Sequence, residues 1–345
     1  MQLYGKAVET PTPIAGPIAY KRSGGGILHL IMNEPSKTAA VVFSEQAQGS
    51  FDLAEELAAA RAEIARLTAE YQDLTLLYEA TIEHGEAVED QLADSNLALQ
   101  KTQARLEAEL LDAARYVMSI LPAQREALPS TEWSLVPSTE LGGDSFGYHD
   151  IDEDHMAFYL LDVCGHGVGA ALLSVAAIKV LQSSALPATD FREPHSVLCA
   201  LNEAFPMEKQ NDMFFTIWYG VYQRTTATLL YASGGHPPAI HLRADADRRT
   251  TSTHLMTRGG MAIGALPDTS YQSERIVIEP GDRLLLISDG TFEVSGPDGD
   301  MLGIDDLTKF VTMQSDHPQA VLDWVRSFNA DGPLPDDFSL LRIQF

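Results

Sequence analysis

The sequence predicts an α+β fold, a β-sandwich with sheets inside and helices outside, preceded by a long coiled-coil helix. One observation is a heptad seam. Leu53, Leu57, Ala60, Ile64, Leu67, Tyr71, Leu74 and Tyr78 step alternately by four and three, and no proline follows before Pro122, as helices pairing along one stripe require. The other is a change of texture beyond Pro122, where strand-like segments come in runs and helix-like segments in pairs. That distribution suits layered sheets and helices better than a regular parallel βαβ repeat.

Residues 1–50 are rich in Pro, Gly and small residues, with Pro11, Pro13 and Pro17 followed by Gly24-Gly25-Gly26, and only Ile27 to Met32 reads as strand. This is a poorly specified N-terminal segment. Residues 51–121 form the coiled-coil or linker helix. In its frame Thr81, Gly85, Ser95 and Thr102 fall at core positions, which weakens pairing in the middle. The apolar series resumes at Leu110, Ala113, Val117 and Ile120 after a step of four where three is due, a phase slip just before Pro122. A homodimer through this helix is preferred over a helix packed on its own domain. Residues 122–345, about 220 residues, suit one domain. Strands are expected at Trp133 to Val136, His155 to Val163, Phe214 to Tyr222, Ala227 to Ala232, Arg275 to Ile278, Arg283 to Ser288 and Phe338 to Phe345. Helices are expected at Gly169 to Ser184, His195 to Phe205, Ile304 to Met313 and Pro318 to Asn329.

With 23 Lys+Arg against 49 Asp+Glu the formal net charge is −26, which repels phosphate backbones and anionic lipid alike. Nucleic-acid and membrane-surface roles are thereby disfavoured. Cys164 and Cys199 are the only cysteines, so there is no disulfide framework and no thiolate zinc site, which fits a reducing cytoplasm. No window reaches the roughly 18 apolar residues of a spanning helix, and no basic segment with a long apolar run opens the chain. A cytoplasmic protein, neither exported nor membrane-embedded, is expected.

Four acidic sites sit beside glycine or at strand ends: Gly142-Gly143-Asp144, Asp162 before Val163-Cys164-Gly165-His166-Gly167, Asp289 after Leu284-Leu285-Leu286-Ile287-Ser288, and Asp336-Asp337 before the last strand. Any one alone is a common turn former. Carboxylates gathered at one end of a sheet repel one another unless cations neutralise them, and all-oxygen ligation selects hard ions such as Mg²⁺ or Mn²⁺. A two-metal hydrolase is the chemistry such a set suggests, its ions about 3.5–4 Å apart.

These motifs, in this order, resemble the metal-dependent protein phosphatase family (PPM, type 2C) in its bacterial SpoIIE/RsbU-like branch. Gly142-Gly143-Asp144 resembles the first acidic motif, Asp162 to Gly167 the D-x-x-G-H-G turn, and Gly234-Gly235-His236-Pro237-Pro238 the G-H-P-P segment. Gly281-Asp282-Arg283-Leu284 through Ser288-Asp289-Gly290 with Glu293, and the closing Asp336-Asp337-Phe338-Ser339, complete the set. The resemblance implies a PPM-type β-sandwich flanked by helices. It also implies that Asp144, Asp162, Asp289, Asp336 and the backbone carbonyl of Val163 hold two Mn²⁺ or Mg²⁺ ions, with Asp337 the second choice beside Asp336. Many relatives carry a further acid where Gly147 stands here, which puts metal occupancy in question.

His166 is a candidate general acid for the leaving serine oxygen, since imidazole titrates near neutral pH; a hydrogen-bonding or packing role is the alternative. His236 is read as part of a bend between strands, and Cys164 as a small packed residue. The glycines at 165, 167 and 169 lack the lysine of a nucleotide-binding loop. The resulting expectation is a serine/threonine phosphatase acting on a phosphorylated STAS-type anti-sigma-factor antagonist in a partner-switching pathway, with an upstream sensor or response regulator as a further partner. The alternative is a catalytically weak phosphoprotein-binding or scaffold protein of the same fold.

Overall fold

The computed structural model describes residues 20–23, 27–30, 50–244, 250–258, 260–296, 299–328 and 332–345. Two compact units divide the chain, Met1–Ala98 and Leu99–Phe345. In the first, β1 (Tyr20–Ser23) and β2 (Ile27–Leu30) form an antiparallel pair. Residues 31 and 32 of the expected strand lie outside the described residues. Helix α1, Ser50–Ile120, begins in this unit and continues into the second. Ion pairs one turn apart, Arg66 with Glu63 and Glu70 and Arg105 with Glu109, support it, each by a few tenths of a kcal/mol. The stripe residues Ile64, Tyr71, Leu74 and Leu92 are exposed, so the single chain leaves its heptad seam in solvent. No described helix is long and apolar enough to cross a membrane.

The second unit contains strands β3 (Ser130–Val136), β4 (Ser145–Asp150), β5 (His155–Val163), β6 (Phe215–Gln223), β7 (Thr228–Gly234), β8 (Ala239–Ala244), β9 (Thr250–Leu255), β10 (Glu274–Val277), β11 (Arg283–Ile287) and β12 (Phe338–Gln344). Its further helices are α2 (Val168–Gln182), α3 (Pro194–Ala204), α4 (Ile304–Met313) and α5 (Pro318–Phe328). Two antiparallel sheets of five strands result, ordered β10-β7-β6-β5-β4 and β3-β12-β11-β8-β9. Because successive strand residues point to opposite faces, three apolar layers form. Phe146, Phe158, Leu160 and Trp218 meet Leu284, Leu286, Leu341 and Ile343 between the sheets. Tyr159, Leu161 and Tyr219 pack under α2 and α3, and Leu285, Ile287 and Leu340 under α4 and α5.

The expected α+β sandwich is therefore observed, and all four expected helices of this unit are present within a residue or two of their anticipated bounds. Strand β4 was expected only as a strand opening at Asp144 and β8 only as the strand after the Gly234–Pro238 bend, neither with bounds, and β9 was not anticipated. Gly147 interrupts the first, Pro237-Pro238 precede the second, and the third is the polar run Thr250-Thr251-Ser252-Thr253 at a sheet edge. Phe158 is fully buried between the sheets. Phe158→Ala is expected to lower unfolding free energy by about 3–5 kcal/mol, read from urea denaturation with an unchanged slope.

Candidate metal centre

Acidic residues from both sheets reach the same end of the sandwich. Ser145 pairs with Leu161, so Asp144 and Asp162 lie side by side on neighbouring strands, and the alternation that turns Phe146 and Leu160 inward turns these carboxylates inward too. In the other sheet Ile287 pairs with Leu340, and the Ser288 N–H donates to the Ser339 carbonyl at 3.0 Å. This places Asp289 beside Asp336-Asp337.

Burial and mutual repulsion govern the charge of this cluster. Asp144 is 4% exposed, and its buried Oδ2 has no hydrogen-bond partner. Burial, then the Asp162 charge, push its carboxyl well above the usual range. Asp162 is pushed up to about 7, first by burial and then by Asp289 and Asp336. Asp289 is raised by burial, then by Asp336 and Glu293. An inward oxygen with no donor, amid acids that disfavour one another's ionisation, fits a hard divalent cation. Among the described residues no three acidic, His or Cys side chains converge into a ligand cage.

Backbone geometry serves the same place. A Cβ on Gly143 would stand 2.8 Å from the Val163 carbonyl oxygen and 3.0 Å from that of Gly165, so only glycine keeps the approach to these oxygens open. Gly165 and Gly167 have φ of 94° and 89°, a left-handed conformation that favours glycine. The Gly167 N–H donates to the Leu141 carbonyl at 2.9 Å, tying this turn to the loop that carries Asp144.

The remaining expected residues are distributed as follows. Asp336 accepts the Asp337 N–H on Oδ1 at 2.8 Å. Both Asp337 oxygens are engaged by the loop before β4, through Ser138 and Gly143. His166 is exposed on its glycine turn. Cys164 is exposed rather than packed, because the turn carries it past the end of β5. His236 is buried in the bend between β7 and β8, with Nδ1 2.8 Å from the Thr216 hydroxyl, and Thr216 lies opposite Asp162. Burial lowers its pKa to about 3, so its ring is neutral and lends the cluster no charge. The hydroxyls of Ser138 and Ser288 were missed by sequence reasoning; no local pattern marks Ser138, whose partner lies 199 residues away.

Gly147 pairs with Tyr159 on β5, and a Cβ there would lie 2.5 Å from the Tyr159 ring. Tyr159 belongs to the layer under α2 and α3, so position 147 faces away from the inward carboxylates. Gly147→Asp is expected to cost at least about 1–3 kcal/mol through overpacking and to add no cation to the binding stoichiometry, measured by thermal unfolding and calorimetry.

Residues 152–345, more than half of the chain, match the family described as Stage II sporulation protein E (SpoIIE). The chain is 29% identical over 282 residues to phosphoserine phosphatase RsbU of Bacillus subtilis, covering 79% of each protein. It is 23% identical over 235 residues to protein IcfG of Synechocystis sp., covering 60% of this chain but only 36% of IcfG. Among solved structures, the SiaA-PP2C domain of Pseudomonas aeruginosa superposes with a TM-score of 0.59 at 19% identity, over 71% of this chain and 98% of that domain. The shared two-sheet architecture and the matched residues together establish that this chain belongs to the SpoIIE family and has the PP2C fold.

Proposed function

We propose that the chain is a metal-dependent phosphatase that hydrolyses phosphoserine on a STAS-type regulatory protein of a partner-switching pathway. The observation that carries this reading is that two sheets bring Asp144, Asp162 and Asp289 to one end of the sandwich, each with its ionisation opposed by burial and by neighbouring acids. The named activity of RsbU supports the substrate class. Asp144, Asp162, Asp289, Asp336 and the Val163 carbonyl would hold two Mn²⁺ or Mg²⁺ ions. When bound, such a pair lowers the pKa of water and neutralises charge developing on a phosphoryl group.

The protein's own residues then set the conditions of the reaction. The carboxylates alone repel a phosphate dianion, so substrate engages only a neutralised site. The glycines at 143, 165 and 167 leave room for it. His166, exposed on its glycine turn, would give a proton to the serine oxygen as the bond from phosphorus to that oxygen breaks. Water supplies the new oxygen on phosphorus, and the products are free serine and inorganic phosphate. Asp289→Asn is expected to lower turnover of p-nitrophenyl phosphate and of a phosphoserine peptide about 100-fold or more, and EDTA should abolish turnover in the wild type. Turnover surviving both treatments would overturn the reading.

The same proposal makes the protein a cytoplasmic homodimer through α1, controlled by a separate sensor or response regulator. The exposed stripe supports pairing with a second copy. The last turns of α1, at Ala114, Val117 and Met118, line a cleft of about 30 Å³ with Glu140, Gly142 and Asp144, which supports transmission of helix rearrangement to the first acidic loop. A full-length chain carrying Leu67→Glu and Leu74→Glu is expected to sediment as a monomer where the wild type sediments as a dimer.

A further inference from the structure

One buried carboxylate at this end of the molecule is turned towards backbone amides instead of towards the other acids. Asp337 is 5% exposed at the start of β12. Its Oδ1 accepts the Ser138 N–H at 2.7 Å and the Ser138 O–H at 2.9 Å. Its Oδ2 accepts the Gly143 N–H at 2.7 Å and, at 3.4 Å, the Asp144 N–H. Those donors stand at the two ends of the loop that leaves β3 in one sheet and enters β4 in the other. A side chain on Gly142 would collide with this carboxylate, so the loop is closed tightly around it. The Asp337 carbonyl accepts the Ser288 hydroxyl at 3.0 Å, and the same hydroxyl accepts the Ser339 N–H at 3.0 Å.

A single residue therefore grips the loop bearing Asp144 with its side chain and the turn bearing Asp289 with its backbone. We propose that Asp337 is a positioning residue that sets the Asp144 carboxylate against Asp289 and Asp336, and thereby the affinity of the cluster for divalent cations, without ligating one. The consequence for cations rests on the phosphatase reading above; the clamp itself does not. A carboxylate is required because four donors meet an acceptor-only group, and asparagine offers one oxygen and turns an NH₂ towards N–H donors. Charge-assisted bonds of this kind are about twice as strong as neutral ones.

The test uses the full-length chain with Asp337→Asn and Asp337→Glu, the second keeping the charge while displacing the oxygens, and the milder Ser138→Ala. Without metal, amide hydrogen exchange at Ser138, Gly143 and Asp144 is expected to quicken about tenfold or more in both Asp337 variants, the equivalent of one lost hydrogen bond to a charged group, with exchange in β5 and β11 unchanged. Mn²⁺ binding by calorimetry, and the Mn²⁺ concentration for half-maximal p-nitrophenyl phosphate hydrolysis, should weaken by a similar factor, with the rate at saturating Mn²⁺ held within about threefold. Ser138→Ala should move exchange at Gly143 in the same direction by a smaller factor. Unchanged exchange in the Asp337 variants overturns the clamp whether or not the wild type binds Mn²⁺. Wild-type Mn²⁺ affinity in Asp337→Glu overturns the positioning role, because charge alone would then account for it. A wild type that binds no Mn²⁺ defeats the phosphatase reading and the affinity claim together, and the metal-free exchange data tell that failure from failure of the clamp.

Discussion

Along the shared face of the two sheets, Phe146, Phe158 and Leu160 meet Leu286 and Leu341 in an apolar seam, and two residues further on the same strands present Asp144, Asp162, Ser288 and Ser339. Closing the sheets over apolar side chains thus forces acids together at the open end. Each fully buried Leu or Phe in the seam contributes about 1.5–3 kcal/mol, while each acid there gives some of that back in lost hydration and repulsion, visible in the raised pKa values of Asp144, Asp162 and Asp289. The seam holds the strand ends in place against this opposition, and the glycines around them keep backbone oxygens accessible. The chemistry proposed for the protein depends on the imbalance between these two stretches of one interface.

Much of this was legible in the sequence, and the reasons are local. β5, β6, β11 and β12 are long apolar or alternating runs, and Asp162 and Asp289 follow directly from their strands into turns that glycine permits. The acids at 144 and 336 stand in equally plain words of sequence. What could not be read depends on partners brought together only by folding. Tyr159 shields Gly147 because β4 and β5 pair in one particular register. The engagement of Asp337 by Ser138 spans most of the domain, and nothing near either residue announces it. β9 was illegible for another reason: an edge strand with one partner needs little apolar surface, and its threonines look like loop.

The order of strands has a consequence for synthesis. β12 lies between β3 and β11, and Phe338 pairs with Val136 from the far end of the domain. Such non-local pairing makes closure slow relative to helix formation. On the ribosome, β3 must wait unpaired on that side until residues 338–344 have emerged, and Asp336 joins the other acids only in the same event. Nascent chains therefore carry an incomplete cluster until that segment has emerged, so the proposed competence to gather cations arrives abruptly, when the sandwich closes.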